Sequence, residues 1–230
     1  MRILAVGAHP DDVEFGCAPV LIQEVLNGHE VRILVTSKGE AASSGTPEER
    51  AEESREAARV IGATMEFLEM GGDCQIEHDP QNVVTMAGEI RRFRPDVVIA
   101  PHLGENQHPD HSAVGRIVRD SARLARYGGL KDLEGLAPHQ ITSLYYYAIT
   151  QDLDIPPTVL VDVSRVKSQW EAAIVCHRTQ MKTRNYLDLV QARARSLGAA
   201  MGVEYAIGLW GNDPMRVKSL AEIPAGSRYF

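Results

Sequence analysis

The stretch that most constrains the fold is the opening one. A strand-length apolar run, Arg2-Ile3-Leu4-Ala5-Val6-Gly7, passes without a linker into Ala8-His9-Pro10-Asp11-Asp12. An imidazole and two carboxylates within four positions resist burial in a core, so the run is expected to deliver them to a cleft at a strand's C-terminal end. A second short run rich in β-branched residues, 96–101, suits a strand buried on both faces of a parallel sheet. It leads to His108-Pro109-Asp110-His111. Helices alternating with strands imply right-handed crossovers, and the first and fourth strands of a doubly wound sheet can flank the point where strand order reverses. Two motifs far apart in sequence would then meet at one cleft.

The rest of the chain supplies that alternation. Apolar spacing predicts a helix over 17–27, closed by Asn27-Gly28, then a strand over 31–35 and a Gly/Ser/Ala-rich loop over 38–47 facing the same cleft. Thr46, Pro47 and the early glutamates start a helix over 47–61 that Gly62 ends. A strand over 65–68 and helices over 81–93 and 111–127 follow, the last broken by Gly128-Gly129. Strands over 141–149 and 159–163, a helix from Ser164 to position 176 and a long helix over 186–201 complete the reading. The pattern predicts an α/β fold: a single Rossmann-like domain spanning 1–230, with a mostly parallel sheet flanked by helices.

Charge and cysteine content narrow the partners. Lysine and arginine number 24 against 31 acidic residues, a net charge of −7 that argues against nucleic acid and against an anionic membrane surface. No window approaches a membrane span. Cys17, Cys74 and Cys176 are odd in number and outside any Cys-x-x-Cys spacing, which points to a reducing cytoplasm rather than a disulfide framework. A small-molecule substrate is expected, and the composition leaves room for a homo-oligomer.

Histidine nitrogen and carboxylate oxygen are zinc donors, and a catalytic site uses three of them while keeping a place for water. His9, Asp12 and His111 can fill those places, with Asp11 as the base; the residues alone leave open which of the adjacent aspartates binds and which accepts the proton. His108 suits oxyanion stabilisation or proton donation to a leaving amine, and Asp110 can orient an imidazole or serve as helix N-terminal charge. His29, His78, His139 and His177 lack partner spacing and are assigned no chemistry, and Cys17 reads as a small buried thiol.

These residues resemble the PIG-L or LmbE-like zinc-dependent N-deacetylases. The resemblance rests on AHPDD at 8–12 and HPDH at 108–111, with support from GTPEER at 45–50 and GVEYAIG at 202–208. It implies His9, Asp12 and His111 as ligands of Zn2+ or another divalent metal, Asp11 as general base, and His108 beside the reacting carbonyl with Asp110 supporting it. It further implies hydrolysis of the N-acetyl group of an N-acetylglucosamine-type conjugate, in the manner of the bacillithiol-pathway N-acetylglucosaminyl-malate deacetylases. Arg50 resembles a substrate-engaging arginine, against an ordinary reading as a solvated helix charge among Glu48, Glu49, Glu52 and Glu53. Tyr205 resembles a tyrosine near the pocket, against a reading as a core residue. One departure is Gln140, where similar sequences often carry arginine, and 181–189 is distinctive, so the attached group is left open. The alternatives are a silent metal- or sugar-binding protein on the same scaffold, or another metal-assisted hydrolase such as a phosphoesterase.

Overall fold

The computed structural model describes residues 1–104, 107–150 and 153–226. Strands β1 (Arg2–Gly7), β2 (Glu30–Val35), β3 (Thr64–Phe67), β4 (Val97–Pro101), β5 (Ser143–Tyr147), β6 (Val159–Asp162) and β7 (Ala206–Gly211) form one sheet. Their order is β3-β2-β1-β4-β5-β7-β6. Strands β1 to β5 pair in parallel, and β7 lies antiparallel between β5 and β6. The chain leaves β1 to one side for β2 and β3, then returns to the other side of β1 for β4. The reversal therefore falls between β1 and β4, the two strands that carry the His/Asp motifs at their C-terminal ends.

Period-two side-chain alternation divides the apolar residues between the two faces of the sheet. Ile3, Ala5, Val31, Ile33, Val35 and Ile99 face one layer, made by α2 (Ala18–Leu26), α3 (Pro47–Ile61), α6 (Lys167–Ile174) and α8 (Tyr186–Met201). Leu4, Val6, Leu34, Val98 and Ala100 face the other, made by α4 (Pro80–Phe93) and α5 (Pro109–Leu124). Both faces are covered, which explains why β1 and β4 read as continuous apolar runs. Gly16, at the end of the short α1 (Asp12–Gly16), lets that helix lie on the sheet: a Cβ there would sit 2.1 Å from the Tyr147 ring. The Tyr147 hydroxyl in turn donates to the Val6 carbonyl at 2.8 Å and ties β5 to the end of β1.

Several elements differ from the sequence expectation. The helix expected over 17–27 is two helices, α1 and α2, jointed at Cys17, so the first motif itself opens a helix. Helix α5 begins at Pro109, where proline at the first position needs no N–H partner, and ends at Leu124. The segment 164–176 opens with a 3-10 turn, Ser164–Val166, before α6. The four-residue helix α7 (Arg178–Met181) and strand β7 were not anticipated; β7 carries Gly208 and Gly211, which weaken a strand signal.

Candidate active site

The first motif is shaped by its own backbone. Asp12 Oδ2 accepts the amides of Ala8 at 2.8 Å and His9 at 2.9 Å, closing the turn after β1. Its other oxygen, Oδ1, is left facing His111 Nε2 at 3.2 Å. Asp11 occupies the N-cap of α1 with φ 104°, a left-handed conformation that aspartate tolerates better than most residues. From the other side of the switch point, His108 caps α5 and places His111 in its first turn.

His9 Nδ1 lies 3.3 Å from His111 Nε2 and 3.6 Å from Asp12 Oδ2. Ligands about 2.0–2.2 Å from one tetrahedral ion sit about 3.3–3.6 Å apart; these three buried residues offer donor atoms that all lie within 4.8 Å of one another, close enough to make a three-ligand metal set. The far nitrogen of His9, Nε2, meets Asp110 Oδ2 and Asp73 Oδ1, each at 3.1 Å. Carboxylates behind a histidine fix its tautomer and orientation in metal sites. Asp110 Oδ2 also accepts the Cys74 amide at 2.8 Å.

The cluster is rich in negative charge. Burial alone would lower the pKa of His9, yet hydrogen bonds to Asp110, Asp12 and Asp73 outweigh it and push the imidazole up to about 12. Burial pushes the Asp11 carboxyl up to about 6, opposed by the Arg50 guanidinium and reinforced by Asp12. Burial and the charge on His9 lower the pKa of His108. Because His108 Nδ1 accepts the Asp110 amide at 3.3 Å, the neutral ring carries its proton on Nε2.

A cleft of about 420 Å3 opens over these groups. The structure brings His9, Asp11, Asp12, His108 and His111 to it, with Asp110 immediately behind. Arg50 also reaches it but is only 5% exposed, contrary to a solvated helix charge. Its Nη2 donates to the Pro10 carbonyl at 2.8 Å and approaches Asp11 at 3.5 Å, and its Nη1 donates to the Gly39 carbonyl at 3.2 Å. Gly39, with φ +71°, gives it room: a Cβ there would lie 1.8 Å from Nη1. Arg50 clamps the base-bearing turn to the loop after β2.

Tyr205 is not among the described residues lining the cleft. It packs in the core beside β7, with its hydroxyl 3.5 Å from Arg195 and its ring under Lys167 and Arg195. Gln140 precedes the N-terminal end of β5, whereas the cleft lies at the C-terminal ends of the parallel strands, so a cation at 140 would stand at the wrong end of the sheet. Sequence reading missed Asp73 and Cys74, which sit in a turn-rich loop without periodicity. It also missed Gln180, Thr183 and Tyr186, which line the cleft from the connection into α8. His177, assigned no chemistry, is buried 3.4 Å from Glu14, and that carboxylate raises its pKa against the effect of burial.

Residues 4–122 match the PIG-L family, described as GlcNAc-PI de-N-acetylase, and both His/Asp motifs fall inside the match. The chain belongs to this family. Its fold matches the conserved protein TT1542 from Thermus thermophilus with a TM-score of 0.83 and 33% identity, covering 97% of this chain and 99% of that one. It is 23% identical to the 4-oxalmesaconate hydratase of Pseudomonas putida over 95% of this chain and 92% of the relative. It is 25% identical to the 1D-myo-inositol 2-acetamido-2-deoxy-alpha-D-glucopyranoside deacetylase of Nakamurella multipartita, over 79% of this chain and 80% of that one. As a PIG-L member it is an enzyme of a deacetylase family, with a His/Asp cluster able to hold a metal ion.

Proposed function

We propose that the chain, acting as one catalytic domain, hydrolyses the N-acetyl group of an N-acetylglucosamine-type amino sugar at a divalent metal ion, releasing acetate and a free amine. The observation that carries this reading is the donor triangle of His9, Asp12 and His111, with Asp11 and His108 lining the same cleft. Two imidazole nitrogens and one carboxylate oxygen at this spacing suit zinc and leave a coordination position open. When bound, the ion polarises the amide oxygen and lowers the pKa of water to about 7.

The chain's own residues supply the rest. Asp11, deprotonated above its raised pKa of about 6, takes a proton from the attacking water and returns it to the leaving nitrogen. His108 offers Nε2–H to the amide oxygen as negative charge builds there, and its lowered pKa keeps it a neutral donor. Asp110 and Asp73 hold His9 by Nε2, which leaves Nδ1 as the atom that would serve as ligand. Arg50 fixes the turn that carries Asp11.

The similarity to a hydratase raises a second reading, in which the same base adds water to an unsaturated oxo acid. Asp11, Asp12 and Asp73 line the cleft, which favours a neutral amide over a polyanion. Three free cysteines fit a cytoplasmic enzyme, and among the described residues no helix is long and apolar enough to cross a membrane.

The test is acetate release from N-acetylglucosamine, chitobiose and the malate and inositol conjugates, before and after chelation and zinc reconstitution, with 4-oxalmesaconate as the hydratase control. Release abolished by chelator and restored by zinc is expected. Absence of acetate from every amide after reconstitution would leave a silent binding protein, and turnover of the oxo acid alone would favour the hydratase.

A further inference from the structure

One wall of the cleft is held by residues outside the metal site. The connection from α7 into α8 brings Gln180, Thr183 and Tyr186 to the cleft. Among residues 175–189 only His177 and Thr179 are buried, and both are polar. Met181, Tyr186 and Leu187 pack half-buried against the core. The wall is therefore pinned largely by polar bonds, and each of its buried residues meets a buried glutamate. His177 lies 3.4 Å from Glu14 of α1, and Thr179 meets Glu53 of α3.

A carboxylate on the buried face of a helix is costly unless its oxygens are hydrogen-bonded. Both oxygens of Glu53 are spent on one residue: they accept the Thr179 amide at 3.0 Å and its hydroxyl at 2.7 Å. A carboxylate only accepts, so the Thr179 hydroxyl has to turn its proton to Glu53 and its lone pairs outward. Those lone pairs accept Gln180 Nε2 at 3.3 Å, and Nε2 also donates to the Ser44 carbonyl at 3.0 Å. Both amide protons of Gln180 are thereby used, which leaves Oε1 as the group with which this lining residue can meet a ligand.

The loop after β2 closes on the same residue. Ser44 Oγ donates to the Thr179 carbonyl at 2.8 Å, and a Cβ at Gly45 would lie 2.6 Å from the Thr179 methyl. Glu53 stands three residues after Arg50 on the buried stripe of α3, so the two share one face. Arg50 holds the turn that carries Asp11, and Glu53 holds the wall across from it.

Resting on the deacetylase reading, we infer that Gln180 is a substrate-binding residue and that Glu53, acting through Thr179, is its positioning residue. The Glu53 carboxylate sets the direction of the relay, and the relay presents Gln180 Oε1 to an N–H or O–H of the bound amino sugar outside the reacting amide. It supplies neither a metal donor nor a base, so it acts on substrate binding and not on bond breaking.

The experiment uses the zinc-reconstituted full chain and its Thr179→Val, Thr179→Ser and Gln180→Met variants, with the double variant of Thr179→Val and Gln180→Met. Acetate release from chitobiose gives kcat and KM, and metal analysis checks equal zinc content. Thr179→Val and Gln180→Met are each expected to raise KM by about three- to tenfold with kcat within about twofold of the parent. Thr179→Ser keeps the hydroxyl and is expected to keep the parent KM within about twofold. The double variant is expected to be no worse than Gln180→Met alone, because both remove one interaction. A parental KM in Thr179→Val or Gln180→Met, a serine variant that behaves like valine, an additive double variant, or a loss of kcat at constant KM overturns the inference while leaving the deacetylase reading standing. Should Thr179→Val not fold, Gln180→Met at its half-buried position decides alone. If the parent cleaves no amide, the deacetylase reading falls and amide hydrogen exchange decides the relay: faster exchange over 178–186 in Thr179→Val, with 108–111 unchanged, supports it, and parental exchange overturns it.

Discussion

Replacing Arg50 with methionine tests the distinction between a clamp and a substrate contact. The guanidinium donates to the carbonyls of Pro10 and Gly39 at 2.8 and 3.2 Å, in a position only 5% exposed. Hydrogen bonds from a charged donor contribute about 1.5–3 kcal/mol each, so losing both removes about 3–6 kcal/mol. At about 2–4 °C per kcal/mol for a chain of this size, the melting temperature falls by roughly 6–24 °C. The catalytic effect has a defined sign. Arg50 opposes the burial that raises Asp11, so its removal raises that carboxyl further. The base must be deprotonated to act, and the acid limb of kcat/KM therefore moves to higher pH. Thermal unfolding and a pH–rate profile on zinc-loaded protein measure both. A variant that melts like the parent, keeps its pH profile and changes only KM would refute the clamp and return Arg50 to the substrate.

Three further outcomes follow from the same geometry. Asp110→Asn removes one of the two carboxylates behind His9 Nε2 and is expected to weaken zinc binding by about 10–100-fold in a competitive chelator titration, with the fold intact by circular dichroism. Gly16→Ala drives a methyl into the buried Tyr147 ring and is expected to cost about 1–3 kcal/mol in urea unfolding; an unchanged midpoint would mean that α1 moves freely over the sheet. Tyr205→Phe should leave kcat and KM within about twofold of the parent, because its hydroxyl approaches Arg195 at the outer limit of a hydrogen bond and the residue does not line the cleft. A large loss of rate would place Tyr205 in the chemistry after all.

The switch point between β1 and β4 and the meeting of the two motifs were legible because both follow from local pattern. Apolar β-branched runs ended directly in His/Asp clusters, and alternation with helices placed β1 and β4 on either side of the reversal. The interior of α3 was legible only in part. Arg50, Ser54, Ala57, Ala58 and Ile61 form the buried helical stripe, but an apolar scan passes over its arginine and serine, and the surrounding glutamates mimic a wet face. Asp73, Cys74 and the wall from Gln180 to Tyr186 sit in loops or at helix ends, where placement depends on tertiary contacts rather than periodicity. Strand β7 escaped because its pairing partners, β5 and β6, lie far from it in sequence and its glycines dilute the strand signal.

The central claim is amide hydrolysis in which Asp11 moves the proton within a metal-holding site. The most direct measurement compares the parent with Asp11→Asn, each loaded with one equivalent of zinc, by parallel metal analysis and release of acetate and amine from a neutral N-acetylglucosamine glycoside. Equal zinc content, equimolar acetate and amine from the parent, and a rate lower by about 10²–10⁴-fold in the variant are predicted. Unchanged turnover by Asp11→Asn at full zinc occupancy would contradict the account.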